Sequence, residues 1–414
     1  MKQMIIHCEP SSTQMALMEA GRLVEFAVER TQAKGLVGSF FKGKVVNVIP
    51  GMQAAFVDIG QKKNAFLYID DVLHPHLDKQ PKVKPSIIDL LKVGQEIIVQ
   101  VTKDAIGTKG ARVTTHYSLP GRWIVYMPIS AYVAVSKRVE REAERIRLRQ
   151  IGEQLRNEQE GLILRTVAED EPPEAIQDDF RMLRKQWTDI QILAKSEQAP
   201  AVLHRELSMV QRLFRDAYTA ATAEIVMDDE EQAREAGIFL QDMLPVSTPR
   251  IHTYRGERPI FEVYGIQQQI NKDFQRKIWL PGGGYLIWDS TEALTVIDVN
   301  TGKFTGSVNL EDTVVQTNVE AAFDIARLLR LRDTGGIVII DFIDMELESN
   351  RIRVSEMLEV SMRPDRTQHH IMGWTKLGLL ELTRKKMRES TAQSAEVCNV
   401  CQGTGWLTPV TKRN

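Results

Sequence analysis

The chain is predicted to be a multidomain α/β protein carrying a small antiparallel barrel near its N-terminus. Three observations lead there. At 414 residues it exceeds a single ordinary core. Between Ala293 and Glu346, two β-branched runs, Leu294–Val299 and Ile337–Ile343, flank a segment with helical periodicity in Val319, Ala322, Ile325, Leu328 and Leu329. That order is a strand, a crossover helix and a second strand, which favours parallel pairing. Residues 37–118 instead break into about five short strands separated by Gly and Pro, the pattern of a closed Greek-key barrel.

In chain order, residues 1–36 read as strands, MIIHC and MALMEAGRLVEFAVER with Gly21 at the bend. Alternation through Leu23, Glu25, Ala27 and Glu29 marks a half-buried strand belonging to a sheet completed later. In the barrel segment, Phe56 and Phe66 fall on strands where aromatics stack on bases, with Lys44, Lys62, Lys63, Lys103 and Lys109 nearby for phosphates. Both rings are equally at home in a barrel core. The insert 74–86 is rich in Pro, Lys and His and reads as a loop.

Residues 119–205 begin with a strand, GRWIVYMP, and turn helical at SKRVEREAERIRLRQIGEQL. Val139, Ala143, Ile146 and Leu155 mark the expected buried stripe; Arg138, Arg141, Arg145 and Arg149 mark a face that interleaved glutamates neutralise. The strand GLILRTVAED ends in Arg165–Thr166, a fork-shaped cation beside a hydroxyl. That pair suits a phosphate, or Arg165 forms an ordinary ion pair with Glu169 or Asp170. Pro172–Pro173 then lead into a helix over Glu174–Lys195. Residues 206–292 mix helices (Val210–Ala221, Glu230–Met243) with strands, and PGGGY at Pro281–Tyr285 is a tight turn.

Asp298 and Asp341 fall at the carboxyl ends of the two parallel strands, where open α/β sheets bind ligands. Two carboxylates about 4 Å apart repel by roughly 4 kcal/mol at an effective dielectric near 20. A hard divalent cation between them removes that cost, and Mg²⁺ is commonly held by one or two carboxylates plus waters and substrate phosphate. Asn300 shares the face of Asp298 and is placed to orient it. The alternative is that both acids merely cap turns; Asp344 competes with Asp341 for the role. In the tail, Cys398 and Cys401 form a C-x-x-C knuckle with glycines behind it, half of a tetrahedral Zn²⁺ site or a dithiol redox pair, and Cys8 stands alone.

A hydrophobic content of 43% and a charged content of 26% are those of a soluble globular protein. No apolar run reaches transmembrane length, and the N-terminus lacks a signal-peptide core. Three cysteines argue against a disulfide framework and fit a reducing cytoplasm. The net charge of −2 excludes a globally basic nucleic-acid binder and leaves local patches.

The barrel strands G-x-V…A-F-V-D-I-G…A-F-L…V-G-Q-x-I-x-V-x-V resemble an S1 RNA-binding domain. Together with STEALTVIDVNTGKFTG, EAAFDIARLLRLRDTGGIVIIDFIDM, LGLLELTRKK and CNVCQGTG, they make the whole chain resemble the catalytic half of the ribonuclease E/G family. NTGKFTG is similar to the ribonuclease G branch. The resemblance implies an S1 domain (37–118) inserted in an RNase H-like subdomain (1–36 and 206–274). It also implies a 5′-sensor domain (119–205), a DNase I-like catalytic domain (275–394) and a zinc link (395–414). The implied activity is a cytoplasmic, Mg²⁺-dependent endoribonuclease cutting single-stranded RNA, with rRNA precursors and mRNA as substrates. It implies Mg²⁺ ligands at Asp298 and Asp341 oriented by Asn300, and RNA contacts at Phe56, Phe66 and Lys109. The 5′-monophosphate pocket falls on Gly121, Val125, Arg165 and Thr166. Lys376 stands where the family has a further Arg, keeping the charge but losing the bidentate fork. Cys398 and Cys401 would share structural Zn²⁺ with a second protomer. The chain stops at Asn414, directly after that link, so the expected assembly is a homodimer.

Overall fold

A computed structural model describes residues 2–30, 35–73, 85–105, 109–218, 222–244, 249–291, 293–302 and 310–385. Cys398 and Cys401, and all but the last two residues of the 74–86 insert, lie outside the described residues. The chain divides into two compact units, one drawn from 1–32, 219–237 and 249–414, the other from 33–218 and 238–248.

In the first unit the N-terminal strands Lys2–Glu9, Ser12–Glu19 and Arg22–Arg30 form an antiparallel meander. Thr222–Met227 pairs parallel to Lys2–Glu9 and is followed outward by Ile251–Thr253. A second sheet runs in the order Lys277–Trp279, Tyr285–Ser290, Leu294–Asn300, Gly336–Asp341, Leu380–Arg384, His369–Trp374. The predicted crossover is present. Leu294–Asn300 and Gly336–Asp341 pair in parallel, connected through the helix Leu310–Leu331. Because strand side chains alternate, Ile297, Val299, Val338, Ile340, Leu380 and Leu382 all point to one face. There they pack with Ala322, Ile325, Leu328 and Leu329 of the crossover helix and Val354 and Leu358 of the helix Glu348–Met362. Burying one face so thoroughly fixes the register, since a one-residue slip would turn every apolar side chain outward.

Glu25, on the half-buried strand Arg22–Arg30, is a largely buried ion-pair acceptor. Its carboxylate takes hydrogen bonds from Arg330, at 2.7 Å, and from Arg366. Burial pushes its pKa up, but Arg366 and Arg330 outweigh that and hold it below the ordinary glutamate value. A carboxylate so depressed contributes stability above its unfolded pKa, lost as pH falls through the folded one. Glu25→Gln is therefore expected to cost about 2–4 kcal/mol near neutrality, less than the fullest burial would give. The melting-temperature gap to the wild type should narrow on acidification; a gap independent of pH would contradict the pairing.

In the second unit, Phe40–Ile49, Ala54–Asp58, Ala65–Tyr68, Arg112–Thr114 and Glu96–Lys103 form the expected five-strand barrel. It closes because Phe40–Lys44 also pairs with Glu96–Gln100. Val45, Ala55, Val57, Ala65, Leu67, Val99 and Val113 fill it. Ala201–His204 adds a sixth strand beside Phe40–Lys42, which no local pattern announced. Beyond the barrel, Val133–Val135, Gly161–Leu164, Ile124–Met127 and Leu119–Pro120 make a small sheet. The helices Glu142–Leu155 and Pro173–Ser196 accompany it. The first of these differs from its predicted stripe. Ala143 and Ile146 are exposed, and Glu144, Leu148, Ile151 and Gly152 face inward. Glu144 is tolerated there because Arg147 donates to it at 2.6 and 2.8 Å and the Asp170 N–H at 3.0 Å. The helix predicted over Val210–Ala221 is Met209–Ala217.

Candidate active site

Asp298 and Asp341 sit directly opposite each other in the register of the two parallel strands. Neighbouring strands are about 4.8 Å apart, and opposed side chains share a face, so the two carboxylates emerge side by side. They do so on the face away from the helices. Asn300, two residues on, donates its Nδ2 hydrogen to Asp298 Oδ2 at 2.8 Å. Asp341 is the last residue of its strand, two residues short of the predicted end. Its pKa is raised, first by partial desolvation and then by the charges of Asp298 and Asp344. The like charges of Asp298 and Asp344 thus add to the burial of the Asp341 carboxyl.

The loop after Asp341 is held by a residue the sequence reading passed over. Asn318, fully buried in the crossover helix, donates to the Ile343 carbonyl at 2.8 Å and accepts from the Ile343 N–H at 3.1 Å. The two bonds satisfy both the backbone N–H and the carbonyl of one residue and fix the stretch between Asp341 and Asp344. A polar side chain among Val314, Val315, Ala321 and Ala322 was the available signal. Lys376 is exposed in the turn Thr375–Gly378, where a Cβ added at Gly378 would stand 4.0 Å from Asp344 Oδ1.

Among the described residues no group of three or more His, Cys, Asp or Glu side chains is arranged to hold a metal. The donor set at Asp298 and Asp341 is a pair rather than a cage. That fits a hard, largely hydrated ion completed by substrate oxygens.

On the barrel, Phe56 and Phe66 pair across adjacent antiparallel strands. Their rings meet edge to face at 5.9 Å and 70°. Their neighbours Ala55, Val57, Ala65 and Leu67 are fully buried, so alternation puts both phenylalanines on the outer, half-exposed face. Lys109 is exposed, two residues before Ala111, whose carbonyl accepts from the Phe66 N–H at 2.7 Å.

On the small sheet, Arg165 donates to the Gly121 carbonyl and to Asp216 Oδ1, each at 2.7 Å. Its ion-pair partner is thus Asp216, on the helix Met209–Ala217, while Glu169 and Asp170 pair with Arg141. Thr166 Oγ1 lies 3.0 Å from Ser136 Oγ, and Val125 lies opposite Ile163, two residues before Arg165. Gly121, Val125, Arg165 and Thr166 therefore belong to one local surface. Gly121 has no room for a side chain, since a Cβ would stand 2.4 Å from buried Asp179. The same carboxylate accepts from the N–H groups of Trp123 and Ile124 and shapes the loop.

The profile of the Ribonuclease E/G family matches residues 118–387. Ribonuclease G of Salmonella typhimurium is 42% identical over 99% of this chain and 85% of its own length. The chain belongs to the ribonuclease E/G family. Ribonuclease G of Haemophilus influenzae is 40% identical over 97% of this chain and 83% of its own. Ribonuclease E of a Nostoc species is 40% identical over 89% of this chain but 54% of its own length. Likeness to ribonuclease G thus spans the barrel, the small sheet and the paired acids alike. No described helix is long and apolar enough to cross a membrane.

Proposed function

We propose that this chain is a Mg²⁺-dependent endoribonuclease of single-stranded RNA that works at Asp298 and Asp341. Membership of the family makes it an endoribonuclease; the observation that carries the metal assignment is the side-by-side register of the two acids. Mg²⁺, when bound, would polarise the scissile phosphate and activate water for in-line attack. The chain's own work is positional. Asp298 and Asp341 present two oxygens of like charge to one side of the sheet. Asn300 fixes the Asp298 rotamer through its amide, and Asn318 fixes the loop carrying Asp341 to Asp344. Attack by water leaves a 5′-phosphate and a 3′-hydroxyl, so the fragments should be substrates for RNA ligation without end repair. Fragments ending in a 2′,3′-cyclic phosphate would refute this chemistry.

The outer barrel face with Phe56, Phe66 and Lys109 is the surface for the single strand, by stacking and phosphate contact. The Arg165 surface is the pocket for a 5′-monophosphate. Arg165 holds Asp216 and the Gly121 carbonyl, so an incoming phosphate competes with a carboxylate already in place. A monophosphorylated RNA should be cut several-fold faster than its 5′-hydroxyl counterpart, and Arg165→Ala should bring that ratio to about one. A ratio unchanged in the variant would remove the pocket. Processing of rRNA precursors and mRNA in the cytoplasm, and a homodimer joined by Zn²⁺ on Cys398 and Cys401 of each subunit, complete the reading. One zinc per two chains is the expected stoichiometry.

A further inference from the structure

The face of the catalytic sheet that carries Asp298 and Asn300 also carries a feature the paired acids do not use. In the antiparallel pairing, Tyr285 lies directly opposite Asn300, and Trp279 directly opposite Tyr285. Side chains opposed across strands share a face, so Trp279, Tyr285, Asn300 and Asp298 lie along one surface. The indole and phenol meet at 5.3 Å and 61°. The Lys277 ammonium stands 3.7 Å from the Tyr285 ring centre and 4.5 Å from that of Trp279.

The platform is braced from below. Gly302, just past Asn300, has a φ of +61°, and a Cβ there would lie 2.5 Å from the Gly283 carbonyl and 3.1 Å from the Tyr285 ring. The hairpin tip is pinned to the crossover helix by Glu320, which accepts from the Gly282 N–H at 2.8 Å. Despite that bracing Trp279 remains 43% exposed. A large ring held still, open to water and topped by a cation is a poor fit to a folding role and a good fit to an anionic, flat-ringed ligand.

We propose that Trp279, Tyr285 and Lys277 form a base-stacking subsite for a nucleotide flanking the scissile phosphate. Lys277 would answer the charge of the adjoining phosphate. This deepens the endoribonuclease reading and rests on it. The indole lies two strand spacings, about 10 Å, from the strand of Asp298, so the base it holds is next to the cut or one removed. Stacking is sequence-tolerant, because every base offers a π-face. The subsite would position the strand without dictating a base.

The test uses the full chain and single-stranded RNAs with one cut site, each carrying one abasic ribose at a successive position around it. The wild type should lose about 5- to 100-fold in kcat/KM at one flanking position. Trp279→Ala should show a loss of that size on unmodified RNA and no further loss at that position, and Trp279→Phe should restore much of the sensitivity. Loss at the same position in Trp279→Ala as in the wild type would overturn the subsite, as would a Trp279→Ala variant that cuts normally. Either result would leave the endoribonuclease reading standing. A Trp279→Ala variant that dissociates on dilution yet keeps the abasic sensitivity would also overturn it, making this face a contact between protein chains. A wild type that cuts none of these RNAs would remove both readings together.

Discussion

Asp298→Asn and Asp341→Asn should each lower RNA cleavage by roughly a thousand-fold or more, with little change in RNA affinity. The magnitude follows from losing both phosphate polarisation and water activation at once. Stability should move the other way, or not at all. The two acids face each other in adjacent strands, and repulsion from Asp298 contributes to the raised Asp341 pKa. Neutralising either one relieves that repulsion in the metal-free protein. A variant that is inactive with an undiminished melting temperature therefore separates a catalytic role from a structural one. Asp344→Asn should be milder, because Asp344 lies beyond the strand end in the loop that Asn318 fixes. An equal loss there would move the ion to Asp344.

Removing the barrel aromatics should give the next largest effect, and on binding rather than turnover. Phe56→Ala and Phe66→Ala should each weaken single-strand affinity by about 1–3 kcal/mol. A core Phe→Ala would cost about 3–5 kcal/mol of stability, but these rings lie outside the barrel wall. The expected stability cost is nearer the 0.5–1.5 kcal/mol of a lost aromatic pair. Unchanged affinity in the double variant, measured by titration of a fluorescent oligonucleotide, would show that the RNA runs elsewhere.

What the sequence made legible follows from physical range. The acids were readable because strand alternation and a crossover connection leave few ways to place Asp298 and Asp341 except together. The barrel was readable because its strands are short and sharply punctuated. Alternation also carried the information on Phe56 and Phe66, since small buried residues flank each ring. The partner of Arg165 was hidden because Asp216 arrives 51 positions later from a separate helix. The buried stripe of Glu142–Leu155 was misjudged because a core-facing glutamate is admissible only once its donors are known. Nothing in the sequence around Trp279 points to the acids, and only its register against Tyr285 and Asn300 connects it to them.

The central claim is metal-assisted hydrolysis of single-stranded RNA. Its most direct test is to incubate the purified chain with a 5′-labelled single-stranded RNA, with Mg²⁺ or with EDTA, and to examine the 3′ end of the labelled fragment. The expected result is internal cleavage in Mg²⁺ leaving a 3′-hydroxyl, none in EDTA, and recovery when excess Mg²⁺ is returned. Equal cleavage in EDTA, or labelled fragments ending in a cyclic phosphate, would contradict it.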